Sequence, residues 1–300
     1  MLYESSTASK VAPDLGHVQE TLLIPLYARA RDATRRHPVL HDERAAALVD
    51  SLEYDFSRFG GPSLLGCVLR SAILDGWVRR FMSQHPGGTV VELGTGLDTR
   101  FDRLDNGTVR WFDLDLPDTI ALRRRFFADR PRRTMLEGSV LDTDWFDTVA
   151  AARGPYLFLC EGVFVYLTAE QVRAVLSQLS GWFEESMIAF DTVGAVMLRN
   201  QHRNGSMHAV SARMQWVCEN PHEVEQWGPK LLQTRTFATP QPEVANSWPA
   251  RYRYGLLLLA SRGFGSRVGI PFGHETAKLR RLPLRSAGRG PWLHASRLGS

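Results

Sequence analysis

The sequence predicts an α/β protein in which helices cover both faces of a doubly wound, mostly parallel β-sheet. Between residues 89 and 193, short apolar runs alternate with helix patterns, which is typical of repeated strand–helix units. The run at 155–162 is almost entirely apolar, as a strand covered on both faces must be. The first run ends in a Gly-x-Gly turn, so a ligand is expected at that end of the sheet.

Composition limits the class of protein. The chain has 300 residues, enough for one large domain with an inserted lid or for two small domains. The formal net charge of +4 is too small to require nucleic acid. No signal-peptide pattern is present, and the longest apolar run, 155–167, is too short to span a bilayer. The cysteines lack metal-ligand spacing. We therefore expect a cytoplasmic protein with no metal and no nucleic-acid or membrane partner.

Helical patterns precede the first strand. Residues 17–52 are apolar on one side and rich in arginine on the other. Residues 64–83 carry apolar side chains four positions apart, namely Leu65, Leu69, Ile73, Trp77 and Phe81. The sequence His-Pro-Gly-Gly at 85–88 then breaks the chain. We predict that residues 1–84 form a helical cap.

The alternating region predicts five strands, at 89–94, 109–115, 133–138, 155–162 and 186–193. Pro117 is expected to open the helix after the second strand, because proline suits a first helical turn. Thr168 and Gln171 have the spacing of a capping box at the start of a helix over 168–183. Residues 85–193 are therefore predicted to form a Rossmann-like core.

The alternation of strand and helix patterns ends after residue 193. Residues 194–250 are rich in Met, Trp, His, Asn and Pro, and we interpret them as an inserted lid over the active face. A late strand is expected at 230–237. The core is predicted to close over residues 251–272, with a helix at 252–261 and a strand at 266–272. The basic tail, 273–300, is expected to be frayed or disordered.

The glycine turn at residues 94–96 raises the question of which nucleotide it binds. A dinucleotide fingerprint needs a third glycine, where this chain has Thr99, and Asp98 would repel a diphosphate. Asp113 and Asp115, at the end of the second strand, suit a ribose diol. A nucleoside without phosphates, such as S-adenosylmethionine, therefore fits better than NAD, which stays an alternative.

Five ordered motifs, ETLLIPLYARA, LGTGLDTR, FDLDLP, GSVLDTDW and CEGVFVYL, resemble the leucine carboxyl methyltransferase-like superfamily. The closer resemblance is to its bacterial polyketide-type branch, the tetracenomycin-type O-methyltransferases, and it runs from about residue 15 to about 270. It implies a class I methyltransferase fold, with a Rossmann-like sheet of about seven strands, and S-adenosyl-L-methionine as cofactor.

The resemblance also implies which residues bind the cofactor. Arg70 matches an arginine that binds the cofactor carboxylate, for which a bidentate guanidinium is well suited. Glu161 interrupts an apolar strand, where an unpaired carboxylate would be costly, and is expected to face the cofactor ammonium or sulfonium. Asp113 is the first choice for the ribose, because the family more often has an acid, glutamate, at that position. Asp115 is the second choice.

Further candidates surround the same strand ends. The glycines let the cofactor approach the backbone, Glu92 orients the turn, and Ser139 to Leu141 match the stretch along adenine. Asp98 and Arg100 are expected either to pair with each other or to contact the cofactor. The remaining predicted cofactor-binding residues are Gly94, Thr95, Gly96, Leu114, Val140 and Gly162.

The predicted reaction is SN2 transfer of a methyl group to an oxygen of a small, aromatic, polyketide-like acceptor. A carboxylate acceptor needs no general base, so alignment and desolvation suffice. Tyr166 is a candidate for lining the methyl-transfer channel. The lid carries apolar residues that suggest a flat, apolar acceptor, namely Met197, Met207, Met214, Trp216 and Trp227.

Other functions remain open at this stage. A phenol acceptor would need a base, for which His202 and His208 in the lid are the candidates. Protein carboxyl-terminal methylation is less favoured because the bacterial branch matches better. An NAD-dependent oxidoreductase and a non-catalytic cofactor-binding protein are alternatives of another class. The sequence indicates neither the acceptor nor the oligomeric state.

Overall fold

A computed structural model describes residues 9–61, 63–184, 186–203, 205–250 and 274–281. Its sheet has seven strands in the spatial order β3-β2-β1-β4-β5-β7-β6. The strands are β1 (Thr89–Leu93), β2 (Arg110–Asp115), β3 (Arg133–Glu137), β4 (Tyr156–Cys160), β5 (Ser186–Val193), β6 (Pro229–Arg235) and β7 (His274–Arg281). The first five are parallel, whereas β7 runs antiparallel to both β5 and β6. The predicted doubly wound, mostly parallel class is confirmed.

Helices cover the sheet and extend beyond its carboxyl edge. They are α1 (Leu23–Ala33), α2 (Glu43–Ser51), α3 (Ser63–Gln84), α4 (Arg100–Leu104), α5 (Pro117–Arg123), α6 (Phe146–Ala150), α7 (Ala169–Trp182), α8 (Ala195–Asn200) and α9 (Pro242–Ser247). A 3-10 helix, Gln19–Leu22, leads into α1, and three more, Phe164–Tyr166, Gln201–Arg203 and Met207–Ala209, lie near the same edge.

Helix α3 links the N-terminal cap to the sheet. Its first half, including Leu69 and Ile73, belongs to the apolar core shared with α1 and α2. Its second half, including Trp77 and Phe81, packs on the core shared with β1 and β4. The helix is therefore buried on more than one side, which explains the predicted apolar row and gives the cap a fixed position.

Two predicted helix starts are confirmed. The Thr168 hydroxyl accepts from the backbone N–H of Gln171, and the side-chain oxygen of Gln171 accepts from the backbone N–H of Thr168. The predicted capping box is therefore present. Pro117 lies in the first turn of α5, as expected. This helix ends at Arg123, and the chain then turns toward β3.

The C-terminal part differs from the prediction. Residues 274–281 belonged to the expected frayed tail, but they form β7, between β5 and β6. Their polar composition concealed this strand, because pairing on both sides depends on backbone groups rather than on an apolar pattern. The helix predicted at 252–261, the strand predicted at 266–272, and residues 282–300 lie outside the described residues. The late strand predicted at 230–237 is confirmed as β6.

The helices in the described part of the chain include none that is both long enough and apolar enough to cross a membrane.

Candidate active site

A cavity of about 250 Å³ opens at the carboxyl ends of β1 to β4. Parallel strands bring their following loops to one edge, and the order of strands reverses between β1 and β4, where ligands bind in open α/β sheets. The cavity is covered by the 3-10 helix Gln19–Leu22, by α1 and α3, and by the segment 197–214. The cap and the inserted segment thus enclose one site together.

The glycine turn forms the floor of this cavity. Gly94 and Gly96 have φ angles of 72° and 52°, a region that side chains disfavour. A Cβ on Gly94 would lie 2.2 Å from Cγ2 of Val163, so space also demands glycine there. The Thr95 hydroxyl lies 3.2 Å from Oε2 of Glu92, which holds the turn as the sequence predicted.

Asp115 is the acid at the end of β2 that reaches the cavity. The backbone N–H groups of Gly96 and Leu116 donate to its two oxygens at 2.7 and 2.8 Å. Burial raises the pKa of Asp115 to about 6, although these two hydrogen bonds oppose the shift. Asp115 and Leu116 line the cavity beside the glycine turn.

Asp113, the first choice for the ribose, does not line the cavity. Its carboxylate is fully buried, at 2.7 Å from Nε of Arg133 and 3.2 Å from Nη2 of Arg123. The prediction that Asp113 contacts the ribose is wrong, because two arginines from α5 and β3 already neutralise it inside the protein. The second choice, Asp115, occupies the position that the first was expected to have.

The end of β3 contributes a short wall. Ser139 and Val140 line the cavity, with Gly138 before them. Leu141 does not line it, and its backbone N–H instead donates to Oγ of Ser139 at 3.1 Å. Leu114 also lies outside the cavity, fully buried, and its carbonyl accepts from the N–H groups of Gly94 and Thr95. The predictions of cofactor contact are therefore wrong for these two leucines, which support the turns instead.

Arg70, from α3, meets Glu161, which directly follows β4. Arg70 Nε lies 3.0 Å from Oε1 of Glu161, and Nη1 lies 3.0 Å from Oδ2 of Asp191. Asp191 also accepts from the backbone N–H of Gly162 at 2.6 Å. Burial lowers the pKa of Arg70, but the two carboxylates outweigh burial and raise it, so the group stays charged. The three residues Arg70, Glu161 and Gly162 line the cavity.

Arg100 holds several carboxylates together beneath the glycine turn. It bridges Glu92, Glu161 and Asp75, with Asp98 at 3.4 Å. The predicted pairing of Asp98 with Arg100 is thus present, and both residues also line the cavity.

Burial and the neighbouring arginines shift the pKa values of Glu92 and Asp98 in opposite directions. Burial raises the pKa of Glu92 to about 7, and Arg100 opposes this shift. Burial also raises the pKa of Asp98, but Arg100, Arg29 and Arg103 outweigh burial and hold it well below its usual range. Asp98 therefore stays ionised.

The methionines of the inserted segment form the far end of the cavity. Met197, Met207 and Met214 line it as expected. The tryptophans do not: Trp216 packs on Phe164 and Phe190, with ring centroids about 6 Å apart, and Trp227 packs against the same core. Both tryptophans therefore pack against the core of the sheet and do not line the cavity.

Tyr166 also lines the far end. Its hydroxyl lies 3.7 Å from Sδ of Met207, and burial raises its pKa to about 12. His202 and His208 are exposed and outside the cavity, so the prediction that a lid histidine acts as a base is not supported by their positions.

Several cavity-lining residues of the cap were not predicted from the sequence. They come from the first helices and from α3, and include Thr21, Leu22, Arg29, Ser63 and Cys67. Ser63, Cys67 and Arg70 follow one another at helical spacing, so they lie on one face of α3. Helical spacing from Arg70 was the signal that could have identified the other two.

These features match what S-adenosylmethionine requires. The backbone of the turn at Gly94 and Gly96 lines the cavity, and Asp115 can accept from ribose hydroxyls. Val140 and Leu116 offer apolar surface for a base. Two features together define a class I S-adenosylmethionine-dependent methyltransferase. They are this glycine turn and the strand order, in which the antiparallel β7 lies beside β5.

The chain belongs to the leucine carboxyl methyltransferase family, whose family model matches residues 23–180. It is 35% identical over 236 residues to the tetracenomycin polyketide synthesis O-methyltransferase TcmP of Streptomyces glaucescens, covering 77% of this chain and 87% of the relative. It is 30% identical to the S-adenosyl-L-methionine-dependent methyltransferase dpfgK of Gibberella zeae, covering 90% and 99%. The predicted family and enzyme class are confirmed.

Two solved structures share the fold. A DUF574 family protein of Streptomyces avermitilis aligns with a TM-score of 0.54 and 14% identity, covering 87% of this chain and 97% of that one. A proposed methyltransferase of Thermobifida fusca aligns with a TM-score of 0.52 and 16% identity, covering 85% and 94%.

Proposed function

We propose that this methyltransferase transfers the methyl group to a carboxylate oxygen of a small, flat, largely apolar acceptor of aromatic polyketide type. The relative TcmP is named as an O-methyltransferase of polyketide synthesis, which supports oxygen as the nucleophile and this class of acceptor. The methionines at the far end of the cavity support an apolar acceptor, because thioether side chains adapt to flat surfaces.

One observation favours a carboxylate over a phenol as the methyl acceptor. Two cavity-lining residues carry a hydroxyl or a thiol near the methionines, namely Tyr166 beside Met207 and Cys67 on α3, and burial raises the pKa of both. Both side chains therefore stay protonated at neutral pH and do not remove a proton from a phenol. A carboxylate arrives already ionised and needs no base.

The residues then act by position and charge. S-adenosylmethionine supplies the electrophilic methyl group as a sulfonium. Asp115 is proposed to hold the ribose hydroxyls, and Arg70 the amino-acid carboxylate. Glu161 faces the cationic part, and Tyr166 positions the acceptor as a neutral hydroxyl. The cap and the segment 197–214 exclude water, which strengthens these interactions.

A paired-acceptor assay tests the proposal. The protein is incubated with methyl-labelled S-adenosylmethionine and either 1-naphthoic acid or 1-naphthol, and the products are then treated with mild base. We expect label only with the acid, as an ester that base cleaves. A base-stable ether from the naphthol would contradict the proposal. His202→Ala and His208→Ala serve as matched variants, and neither is expected to change the rate with the acid by more than about twofold.

A further inference from the structure

Two serines lie beside the methionines at the far end of the cavity. Ser63 is the first residue of α3, and Ser206 directly precedes Met207 in the inserted segment. Oγ of Ser63 lies 3.0 Å from Oγ of Ser206, and both serines line the cavity. Ser206 is fully buried, whereas Ser63 is half-buried. Ser63 is therefore the accessible member of the pair.

The hydroxyl hydrogens of both serines are used within the protein. Ser206 donates to the carbonyl of Gly60 at 3.1 Å, and Ser63 donates to Oγ of Ser206, with the same carbonyl 3.3 Å away. No described residue donates a hydrogen bond to Oγ of Ser63. Because a hydroxyl oxygen has two lone pairs, Ser63 can still accept a hydrogen bond from a ligand in the cavity.

The position of Ser63 on α3 separates this acceptor oxygen from the reacting end of the cofactor. Ser63 precedes Arg70 by seven residues, which corresponds to about 10 Å along a helix axis. Arg70 pairs with Glu161, beside which the sulfonium is proposed to lie. A flat acceptor whose carboxylate meets the methyl group can therefore reach Ser63 only with its remote end.

Tyr166 offers the opposite hydrogen-bonding polarity near the same methionines. Its hydroxyl lies 3.7 Å from Sδ of Met207, and a thioether is a weak acceptor. The Tyr166 hydroxyl can exchange this partner for a carboxylate oxygen, which accepts more strongly. The cavity thus contains a donor suited to the carboxylate and a separate acceptor, Ser63, suited to a group that carries a hydrogen.

We infer that Ser63 determines acceptor specificity by accepting a hydrogen bond from a hydroxyl group that lies on the acceptor, remote from the carboxylate. The inference rests on the proposed methylation of a carboxylate and narrows the substrate class to hydroxyaryl carboxylic acids. A hydroxyl that enters this apolar end of the cavity gives up its hydrogen bonds to water, and Ser63 offsets that cost. An ether or ketone oxygen at the same place has no hydrogen to donate.

Three acids test the inference with the wild-type protein. They are 1-naphthoic acid, its 6-hydroxy derivative, with the hydroxyl on the remote ring, and its 2-hydroxy derivative, with the hydroxyl beside the carboxylate. The readout is kcat/KM for the methyl ester that mild base cleaves, so ether products are not counted. We expect the 6-hydroxy acid to exceed the parent acid by about three- to tenfold, which is the effect of one neutral hydrogen bond. The 2-hydroxy acid should not exceed the parent.

Variants identify the source of the preference. Ser63→Ala should reduce the ratio of kcat/KM for the 6-hydroxy acid to that for the parent acid to about one, and Ser63→Thr, which keeps a hydroxyl, should preserve it. Ser211→Ala is the matched control and should also preserve it. Ser211 likewise joins the inserted segment to the cap, at 3.0 Å from Nδ1 of His17, but it does not line the cavity. The ratio is the readout because a loosened segment affects both acids alike.

The outcomes are distinct. Equal kcat/KM for the 6-hydroxy and parent acids in wild type, or a preference that survives in Ser63→Ala, would overturn the inference and leave carboxylate methylation intact. An equal loss of preference in Ser211→Ala would assign it to the contact between cap and inserted segment and would also overturn the inference. A preference for the 2-hydroxy acid would contradict the remote position. Absence of an ester from all three acids would overturn the proposed carboxylate acceptor and the inference with it.

Discussion

The backbone N–H of Gly96 donates a 2.7 Å hydrogen bond to Oδ2 of Asp115, which joins the glycine turn to the end of β2. The other oxygen of Asp115 accepts from the N–H of Leu116 at 2.8 Å. Each carboxylate oxygen can accept a further bond, so the group is oriented for a diol before any ligand arrives. The turn and the acid therefore act as one element of the site.

Asp115→Ala is expected to weaken S-adenosylmethionine binding by about ten- to a hundredfold, because two charge-assisted hydrogen bonds to the ribose are lost. Calorimetry with wild type and variant measures this change. Asp118→Ala is the matched control, because Asp118 lies three residues further along, outside the cavity, and accepts from the N–H of Gly16. An equal loss in both variants would point to a disturbed α5 instead of a ribose contact.

Cofactor binding is expected to depend on pH through Asp115. Burial raises the pKa of this acid to about 6, and only the ionised form accepts from both ribose hydroxyls. Affinity should therefore rise as the pH increases through 6, with release of a proton on binding. Calorimetry at pH 6 in buffers of different ionisation enthalpy detects that proton. Asp115→Asn should abolish both effects, and persistence of proton uptake or release would assign them to Glu92.

The raised pKa of Asp115 affects the stability of the ligand-free protein in the opposite direction: stability decreases with rising pH, whereas cofactor affinity increases. An acid whose folded-state pKa is raised binds more protons in the native state than in the unfolded chain. The contribution of Asp115 to the free energy of unfolding should therefore decrease as the pH rises from about 4 to about 6. Urea unfolding of wild type and Asp115→Asn measures this contribution: the free energy of unfolding of wild type relative to the variant should fall between about pH 4 and about pH 6 and become constant above that.

Asp113→Ala is expected to lower the free energy of unfolding by about 3–5 kcal/mol, because Arg123 and Arg133 would be left buried without their shared carboxylate. Urea unfolding at neutral pH checks the value. Glu137→Ala, at an exposed pair with Arg124, should cost less than about 1 kcal/mol. A small effect at Asp113 would show that water reaches these arginines.

Arg58 connects the cap to the inserted segment. Its guanidinium donates to the carbonyl of Ala209 and pairs with Glu20, which also accepts from Tyr54. Arg58→Ala should increase hydrogen exchange of the amides at 206–214 several-fold, with a loss of less than about 1 kcal/mol in the free energy of unfolding. Arg124→Ala is the exposed control. Unchanged exchange in Arg58→Ala would show that the other contacts of the segment, such as those of Ser206 and Ser211, hold it without Arg58.

Much of the site could be predicted from the sequence because the strands are parallel. Their carboxyl ends must meet at one edge, so Gly94, Glu161 and Ser139 were expected near each other and all line the cavity. The choice between Asp113 and Asp115 was not predictable. The two acids share a strand face, and only the contacts of Arg123 and Arg133, from other elements, show that the inner acid is already neutralised.

By itself the sequence determined the strand–helix alternation, the capping box at Thr168, the glycine turn and the family, because each depends on local pattern or on ordered motifs. The tertiary structure decided which charges are paired and which side chains reach the cavity. It placed Trp216 in the core, left His202 and His208 at the surface, and made a strand of the polar residues 274–281. These outcomes depend on partners distant in the chain, through backbone pairing and buried ion pairs, which no local pattern specifies.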